Sequence, residues 1–297
     1  MKKTSIAAAA LALCGLWAAG GAQAEGHYVA GVEGLQAASV PPPGMYYLGY
    51  LVNYQIDDFR APGTSSNLPG HNRGTVTALA NRFVWMTGHK LLGADYGVEA
   101  IVPVLRTSLT INAAGISDSR SGVGDIYLGP LVLGWHGPQW DAVAAAGLWL
   151  DNASTSSPAS PGKGFKSTML TGGLTYYFDG AKTISGAALA RYEFNGRNDA
   201  GRRPGDQLTV EWSLGKSFGA VSAGLVGYSQ WQTTNDSGAG ASTHKSARHA
   251  VGAELVYPVP GAGLFLKGAL YKEVSAKAGT GPESKGSLLR FTLVKAF

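Results

Sequence analysis

Tyr46-Tyr47-Leu48-Gly49-Tyr50-Leu51-Val52-Asn53-Tyr54-Gln55-Ile56-Asp57 is the stretch whose pattern sets the fold class. With a period of two, Tyr46, Leu48, Tyr50, Val52, Tyr54 and Ile56 share one face. Tyr47, Gly49, Leu51, Asn53, Gln55 and Asp57 share the other. Successive side chains of a β-strand point to opposite faces, so the segment predicts a strand with an apolar row toward lipid and a mostly polar row toward a lumen. The pattern returns at Gln207, with Leu208, Val210, Trp212 and Leu214 against Gln207, Thr209, Glu211 and Ser213. It returns again at the C-terminus, where Leu289, Phe291, Leu293 and Phe297 oppose Arg290 and Thr292.

Working outward, the alternation predicts about twelve strands: 44–59, 74–87, 94–109, 123–136, 140–153, 166–179, 183–196, 205–218, 221–235, 248–259, 262–275 and 285–297. Their connections alternate between short and long. Short ones are 88–93, 137–139, 180–182, 219–220 and 260–261; long ones are 60–73, 110–122, 154–165, 197–204, 236–247 and 276–284. Short turns on one side, long loops on the other and an even strand number describe a transmembrane antiparallel β-barrel of the outer-membrane type. Closure is what hydrocarbon demands, because an open sheet edge there would leave backbone groups unsatisfied. A soluble two-sheet sandwich also alternates, but its outward rows would be charged, not rich in aromatics. The terminal Phe297 agrees with the barrel and is the feature that a barrel-assembly machinery would read.

Composition supports an all-β chain. Charged residues are 14% of the 297, against about 25% in an ordinary soluble domain, and there are 43 glycines. That much glycine is costly in helices. Lys2 and Lys3, the apolar run Ile6–Trp17 and Ala22-Gln23-Ala24 form a secretory signal peptide over 1–24, cleaved after Ala24. Its only rival, a lipoprotein signal acylated at Cys14, is disfavoured by the bulky Leu13 before that cysteine. Removing 24 of the 297 residues leaves 273 with no cysteine and lowers the formal charge from +5 to +3. Disulfides and thiolate chemistry are thereby excluded from the mature chain, and no basic stripe suggests nucleic acid. Its longest apolar run, Ala142–Leu150, is half of what a spanning helix requires, about 18 residues. The expected setting is the outer membrane of a Gram-negative cell, with membrane lipid as a partner.

Three groups of residues carry a family likeness. They are Gly122-Val123-Gly124-Asp125-Ile126-Tyr127-Leu128-Gly129-Pro130 with Leu133-Gly134-Trp135-His136, then Tyr192-Glu193-Phe194-Asn195-Gly196-Arg197-Asn198 before Gly205-Asp206, and Gly227-Tyr228 through Asp236-Ser237-Gly238. Together with Pro41-Pro42-Pro43-Gly44 they resemble the outer-membrane transporters of the meta-pathway of phenol degradation (phenol MetA deg family), over nearly all of the mature chain. The resemblance implies a barrel that passes small hydrophobic or aromatic compounds. Leu148-Trp149-Leu150-Asp151-Asn152 departs from the Pro-Thr-Gly-like stretch expected there, so nothing is carried over to the loop 148–165.

The inward rows offer Asp95, Glu99, Asp125, Asp141, Arg191, Glu193, Glu211, Glu254, Lys267, Glu273 and Arg290. Such a mixture reads first as ion pairs across a lumen. Its functional alternative is a set of path-lining charges, with Asp95, Glu99, Asp125, Arg191, Glu193, Glu211, Glu254, Lys267 and Arg290 as the candidates. The six histidines, His27, His71, His89, His136, His244 and His249, show no metal-ligand spacing, and no Gly-x-Ser-x-Gly elbow is present. Gly122-Val123-Gly124 precedes a strand, so it is no phosphate cradle. No catalytic residue, metal or cofactor is expected. The segment 25–43 lacks strand alternation and ends in three prolines that cannot join a ladder. It is either a periplasmic tail or a plug in the lumen. The leading function is passive uptake of small hydrophobic or aromatic molecules. A structural or adhesion barrel acting through its loops, and a lipid-modifying enzyme, are the alternatives.

Overall fold

The computed structural model describes residues 26–297; the signal peptide and its cleavage after Ala24 lie outside the described residues. Fifteen strands follow in chain order: β1 (Gly44–Arg60), β2 (Asn72–Leu91), β3 (Ala94–Ile111), β4 (Ile116–Val123), β5 (Tyr127–His136), β6 (Trp140–Trp149), β7 (Ser167–Tyr177), β8 (Ile184–Asn195), β9 (Arg202–Arg203), β10 (Gln207–Phe218), β11 (Val221–Gln232), β12 (Ser237–Gly238), β13 (Ala247–Val259), β14 (Leu264–Lys277) and β15 (Glu283–Ala296). Each barrel strand pairs antiparallel with its chain neighbour, and β1 closes the ring on β15 from Tyr46↔Ala296 to Arg60↔Glu283. The wall has twelve staves, because β4 and β5 share one: β3 pairs with β5 below and with β4 above. Two-residue β9 and β12 pair only with each other, in the loops.

The stave shared by β4 and β5 is interrupted at Gly124-Asp125-Ile126, which belong to no strand. This differs from the single strand expected over 123–136. Residues 116–122 were expected within a long loop. They form β4 because β3 runs on above the sheet and offers a ladder edge, and its outward row (Ser117, Ser119, Ser121) carries no apolar signal. Likewise β2 and β3 continue past the expected turn at 88–93 and meet at Leu92-Gly93, both left-handed (φ 54° and 76°) as a tight two-residue hairpin requires.

Alternation sets the faces as expected in β10 and β15. Gln207, Thr209, Glu211 and Ser213 are buried inside, whereas Leu214 is half exposed on the outer wall. Arg290 and Thr292 point inward while Leu289, Phe291 and Leu293 point outward. In β1 the expectation is reversed. Tyr50, Val52 and Ile56 are buried in the lumen with Ala30, Leu35, Tyr228 and Leu288 or beside them, and Leu51 faces out. A period of two fixes that two faces differ, not which one looks inward. Here the lumen supplies apolar partners, and the polar members of the outer row find each other: Asn53 donates to Thr77, Thr75 to Gln55 and Gln55 to Asn53. Strands β1 to β3 have 17, 20 and 18 residues against 10 in β5 and β6. A tilted span needs about 9–11 residues, so this side of the barrel stands taller and carries its polar outer row beyond the hydrocarbon. At the short-turn end Phe83, Trp85, Phe178, Phe218 and Phe297 are exposed, as an interfacial girdle requires.

Candidate functional site: the barrel lumen

From Gly26 to Ser39 the chain lies against the inward faces of the barrel. The prolines 41–43 lead it from β1 into the lumen at the short-turn end, and His27 reaches the loop end. Its contacts run down the segment in order. The His27 backbone N–H donates to Glu193 (2.8 Å), as does its Nδ1 (2.7 Å), and the Ser167 hydroxyl donates to the same carboxylate (2.6 Å). The Tyr28 hydroxyl donates to Glu211. Glu33 pairs with Arg191 (2.5 Å) and Arg82 (3.2 Å), and its carbonyl accepts from Lys267 Nζ (2.9 Å). The Gly31 carbonyl accepts from Arg290 (2.6 Å), the Leu35 N–H donates to Glu254, and the Ala38 N–H donates to Thr175 (3.3 Å). Gly34 takes a left-handed φ of 75°, and a Cβ there would run into the Glu254 carboxylate.

The expected lumen charges therefore divide into groups. Arg191, Glu193, Glu211, Glu254, Lys267 and Arg290 converge on the N-terminal segment. Glu99 reaches it through Arg82 (2.6 Å). Asp125 holds the loop 150–166, accepting from the N–H groups of Asn152 (3.1 Å), Ala153 (3.0 Å) and Lys163 (2.8 Å), while His27 Nε2 lies 3.5 Å away. Glu273 accepts from the hydroxyls of Tyr54 (2.7 Å) and Tyr228 (2.8 Å) in the wall. Asp95 stands apart: with Asp141 it flanks His136 at the short-turn end (3.7 and 2.8 Å), and it also pairs with Lys90 (2.7 Å).

Outside the staves the electrostatics follow these contacts. Burial alone would raise the Glu33 carboxyl, but the Arg191 and Arg82 guanidiniums outweigh it and hold its pKa at about 2. Burial would lower the His27 imidazole, but the Asp125 and Glu193 carboxylates beside it raise it above its ordinary value. The His27 Nδ1 is engaged with the Glu193 carboxylate (2.7 Å), and the Ser167 hydroxyl is turned to the same oxygen (2.6 Å) and not to the ring. The Ser167–His27 contact is thus a clasp on the segment and not a nucleophile with its base. Burial pushes the Lys163 ammonium down to about 8. No group of histidine and carboxylate ligands fit for a metal occurs among the described residues.

Between segment and wall lies a cavity of about 190 Å³. Val52, Tyr54, Ile56, Val76, Ala78, Ala80, Ile101, Pro103, Leu105 and Leu288 form its apolar sides. Arg82, Glu33, Glu99 and Arg191 lie at one part of its lining, and Lys163, Pro161 and Arg248 at another. Tyr28, Glu33, Arg82, Lys163 and Arg248 line it without standing out in the sequence. The one available signal for Glu33 was a lone acid in the apolar run Tyr28-Val29-Ala30-Gly31-Val32-Glu33-Gly34-Leu35. Tyr54 and Ile56, which the alternation assigns to the lipid side, line the cavity as well.

A closed antiparallel wall with an aromatic-rimmed apolar exterior and a charged, partly filled lumen defines an outer-membrane-type β-barrel. Comparison with known proteins gives the same class. The family described as the MetA-pathway of phenol degradation matches residues 56–291, and the chain belongs to that family. Among solved structures, an outer membrane channel of the COG4313 group from Pseudomonas putida F1 superposes with a TM-score of 0.77 at 13% identity, covering 91% of this chain and 100% of that one. The transport unit of the autotransporter AIDA-I from Escherichia coli gives 0.50 at 8% identity, over 86% of this chain and 90% of that one. A deletion mutant of the TodX monoaromatic hydrocarbon channel gives 0.47 at 11% identity, over 86% and 91%. At these identities the likeness is one of fold. No curated protein sequence matches the chain.

Proposed function

We propose that the protein is an outer-membrane channel through which small hydrophobic molecules, aromatic ones above all, pass without an energy source of its own. The observation that carries this reading is the apolar cavity of about 190 Å³ inside the barrel. A dry apolar cavity of about 150 Å³ accommodates benzene, so the size suits a monocyclic arene. A polar-solute pore would instead present hydrophilic walls along its path. Family membership and the printed name of the COG4313 outer membrane channel agree with the same direction.

In this reading residues 26–43 are a lumen plug. Arg191, Glu193, Glu211, Glu254, Lys267 and Arg290 seat it, Glu99 braces it through Arg82, and Asp125 fixes the loop over the path. Asp95 lies outside this set and acts at the periplasmic rim. The chain reaches the outer membrane with its signal peptide removed after Ala24, and the assembly machinery reads Phe297.

The test is uptake by intact cells lacking the protein, complemented with wild type or with Ala78→Phe. Ala78 lines the cavity, and Phe there fills it. Wild type should restore uptake of an arene such as toluene, and the filled but folded variant should not. Equal uptake with the filled variant would overturn the reading. In planar bilayers, deletion of residues 26–40 should raise conductance; an unchanged value from a folded truncation would reject the plug.

A further inference from the structure

The tall side of the barrel presents two cations outward with nothing to answer them. On β1 to β4 the last apolar outward row is Leu51, Leu79, Val104 and Val123, which are ladder neighbours and all exposed. The next outward row toward the loops is Asn53, Thr77, Arg106 and Ser121. Arg106 points outward because Leu105 lines the cavity and Thr107 is buried on the inner face. Arg73 shares that outer face, since its ladder partner Thr110 alternates with the buried Leu109 and Ile111. Both arginines are exposed, and neither guanidinium has a hydrogen-bond or ion-pair partner among the described residues.

No carboxylate competes for them. Above the apolar row the other outward positions of β2, β3 and β4 hold only serine and threonine. On β1, Asp57 is held by Lys272 (2.7 Å) and Asp58 accepts from Asn67 (3.2 Å). Arg73 stands four positions along β2 from Thr77, the ladder partner of Arg106. At about 3.3 Å per residue and about 4.8 Å between strands, the two Cα atoms are about 14 Å apart.

Height fixes what can reach this face. The long loops of such a barrel lie outside the cell, so a surface just beyond the last apolar row meets the heads of outer-leaflet lipids. A guanidinium offers paired N–H donors that match a phosphate, and hydroxyl and amide side chains match the hydroxyls of a sugar.

We propose that the outer face of β1 to β4 docks the phosphorylated saccharide head of an outer-leaflet glycolipid, of the lipopolysaccharide kind. Arg106 takes one phosphate and Arg73 another, with the serines and threonines between them against the sugar. The acyl chains then lie on Leu51, Leu79, Val104 and Val123. The proposal concerns the wall and is independent of what the lumen carries.

Native mass spectrometry of the purified protein in detergent tests it, with diphosphoryl lipid A, monophosphoryl lipid A and phosphatidylglycerol as probes. Diphosphoryl lipid A should bind most tightly. Arg73→Ser and Arg106→Ser should each weaken it about fivefold, the scale of one basic residue beside an anionic lipid head. Together they should weaken it about 25-fold, because sites so far apart add, and the double variant should no longer distinguish the two forms of lipid A. Lys216→Ser removes an exposed cation at the short-turn end of β10 and should change nothing. All three side chains are exposed, so the variants keep the barrel, which heat-modifiable migration on gels verifies. Equal binding of the two lipid A forms by wild type would overturn the site. So would a double variant that binds like wild type, phosphatidylglycerol bound as tightly as diphosphoryl lipid A, or an equal loss from Lys216→Ser. Each of these would leave the channel reading standing, since arene uptake tests that separately.

Discussion

Glu33 meets two guanidiniums from the wall, and its replacement by Gln has a calculable outcome. In place, its carboxylate is 2.5 Å from Arg191 and 3.2 Å from Arg82, with 12% of its side chain exposed. Its pKa is about 2 against an ordinary 4.5. At 1.36 kcal/mol per pH unit this difference is worth about 3 kcal/mol to the docked segment. Because the docked value is the lower one, the contribution is fully present above about pH 4.5. It fades as the pH falls toward about 2. Glu33→Gln removes it at every pH and leaves two guanidiniums facing an amide that neutralises neither. The assay is conductance in planar bilayers between pH 6 and pH 2, paired with thermal unfolding of the detergent-solubilised protein. At pH 6 the variant should conduct more and melt earlier than wild type, and this gap should close as the pH approaches 2. Other lumen carboxylates titrate in both proteins, so the gap isolates Glu33. A gap of zero at pH 6, or one that persists undiminished at pH 2, would refute the reasoning.

Further outcomes follow from the same geometry. Leu225→Lys, half-way along β11 on the outer wall, should lower stability in lipid vesicles by about 2–4 kcal/mol. Phe218→Lys at the rim of β10 should cost about 0–1 kcal/mol; urea titration reads both. Gly34→Ala should destabilise the docked segment by about 1–3 kcal/mol, from its left-handed φ and the collision with Glu254, seen as a lower melting temperature and higher conductance. Asp125→Asn turns an NH₂ group toward one of three backbone donors. It should release the loop 150–166 to proteolysis while the barrel keeps its heat-modifiable migration on gels, at a local cost of about 1–3 kcal/mol.

Strand number, the alternation of short with long connections and the inward character of Glu211, Arg290 and Thr292 were legible in the sequence because a period of two is a local property. The direction of β1 was not. Its apolar row packs on Ala30, Leu35 and Leu288, and nothing within 44–60 records that the lumen beside it is apolar. The alternation at Tyr46–Asp57 identified a strand and misassigned its faces for the same reason. Strand β4 escaped notice because serines stand where a membrane strand would carry leucines. In the site, Arg191 and Glu193 were recognisable as inward, but their partners Glu33 and His27 lie 158 and 166 positions away in a segment without periodicity. Trp149 sat in a stretch that departs from the family pattern, and only the folded wall brings it beside Met169 and Tyr28.

The partners of the N-terminal segment have a consequence for the order of assembly. Apart from Arg82 on β2, its side-chain partners in the wall lie on β7, β8, β10, β13, β14 and β15, separated from it by 137 positions at Thr175 and by 259 at Arg290. A segment that enters first in the chain is thus the last to find its place. Arg290 and Glu254 face a common lumen with Glu193 only after β1 has met β15. Until that seam forms, the carboxylates of the later strands have only one another and water to answer. The segment acts as a keystone: it is cut first and set last, and once set it ties the late strands to the chain that precedes the first one.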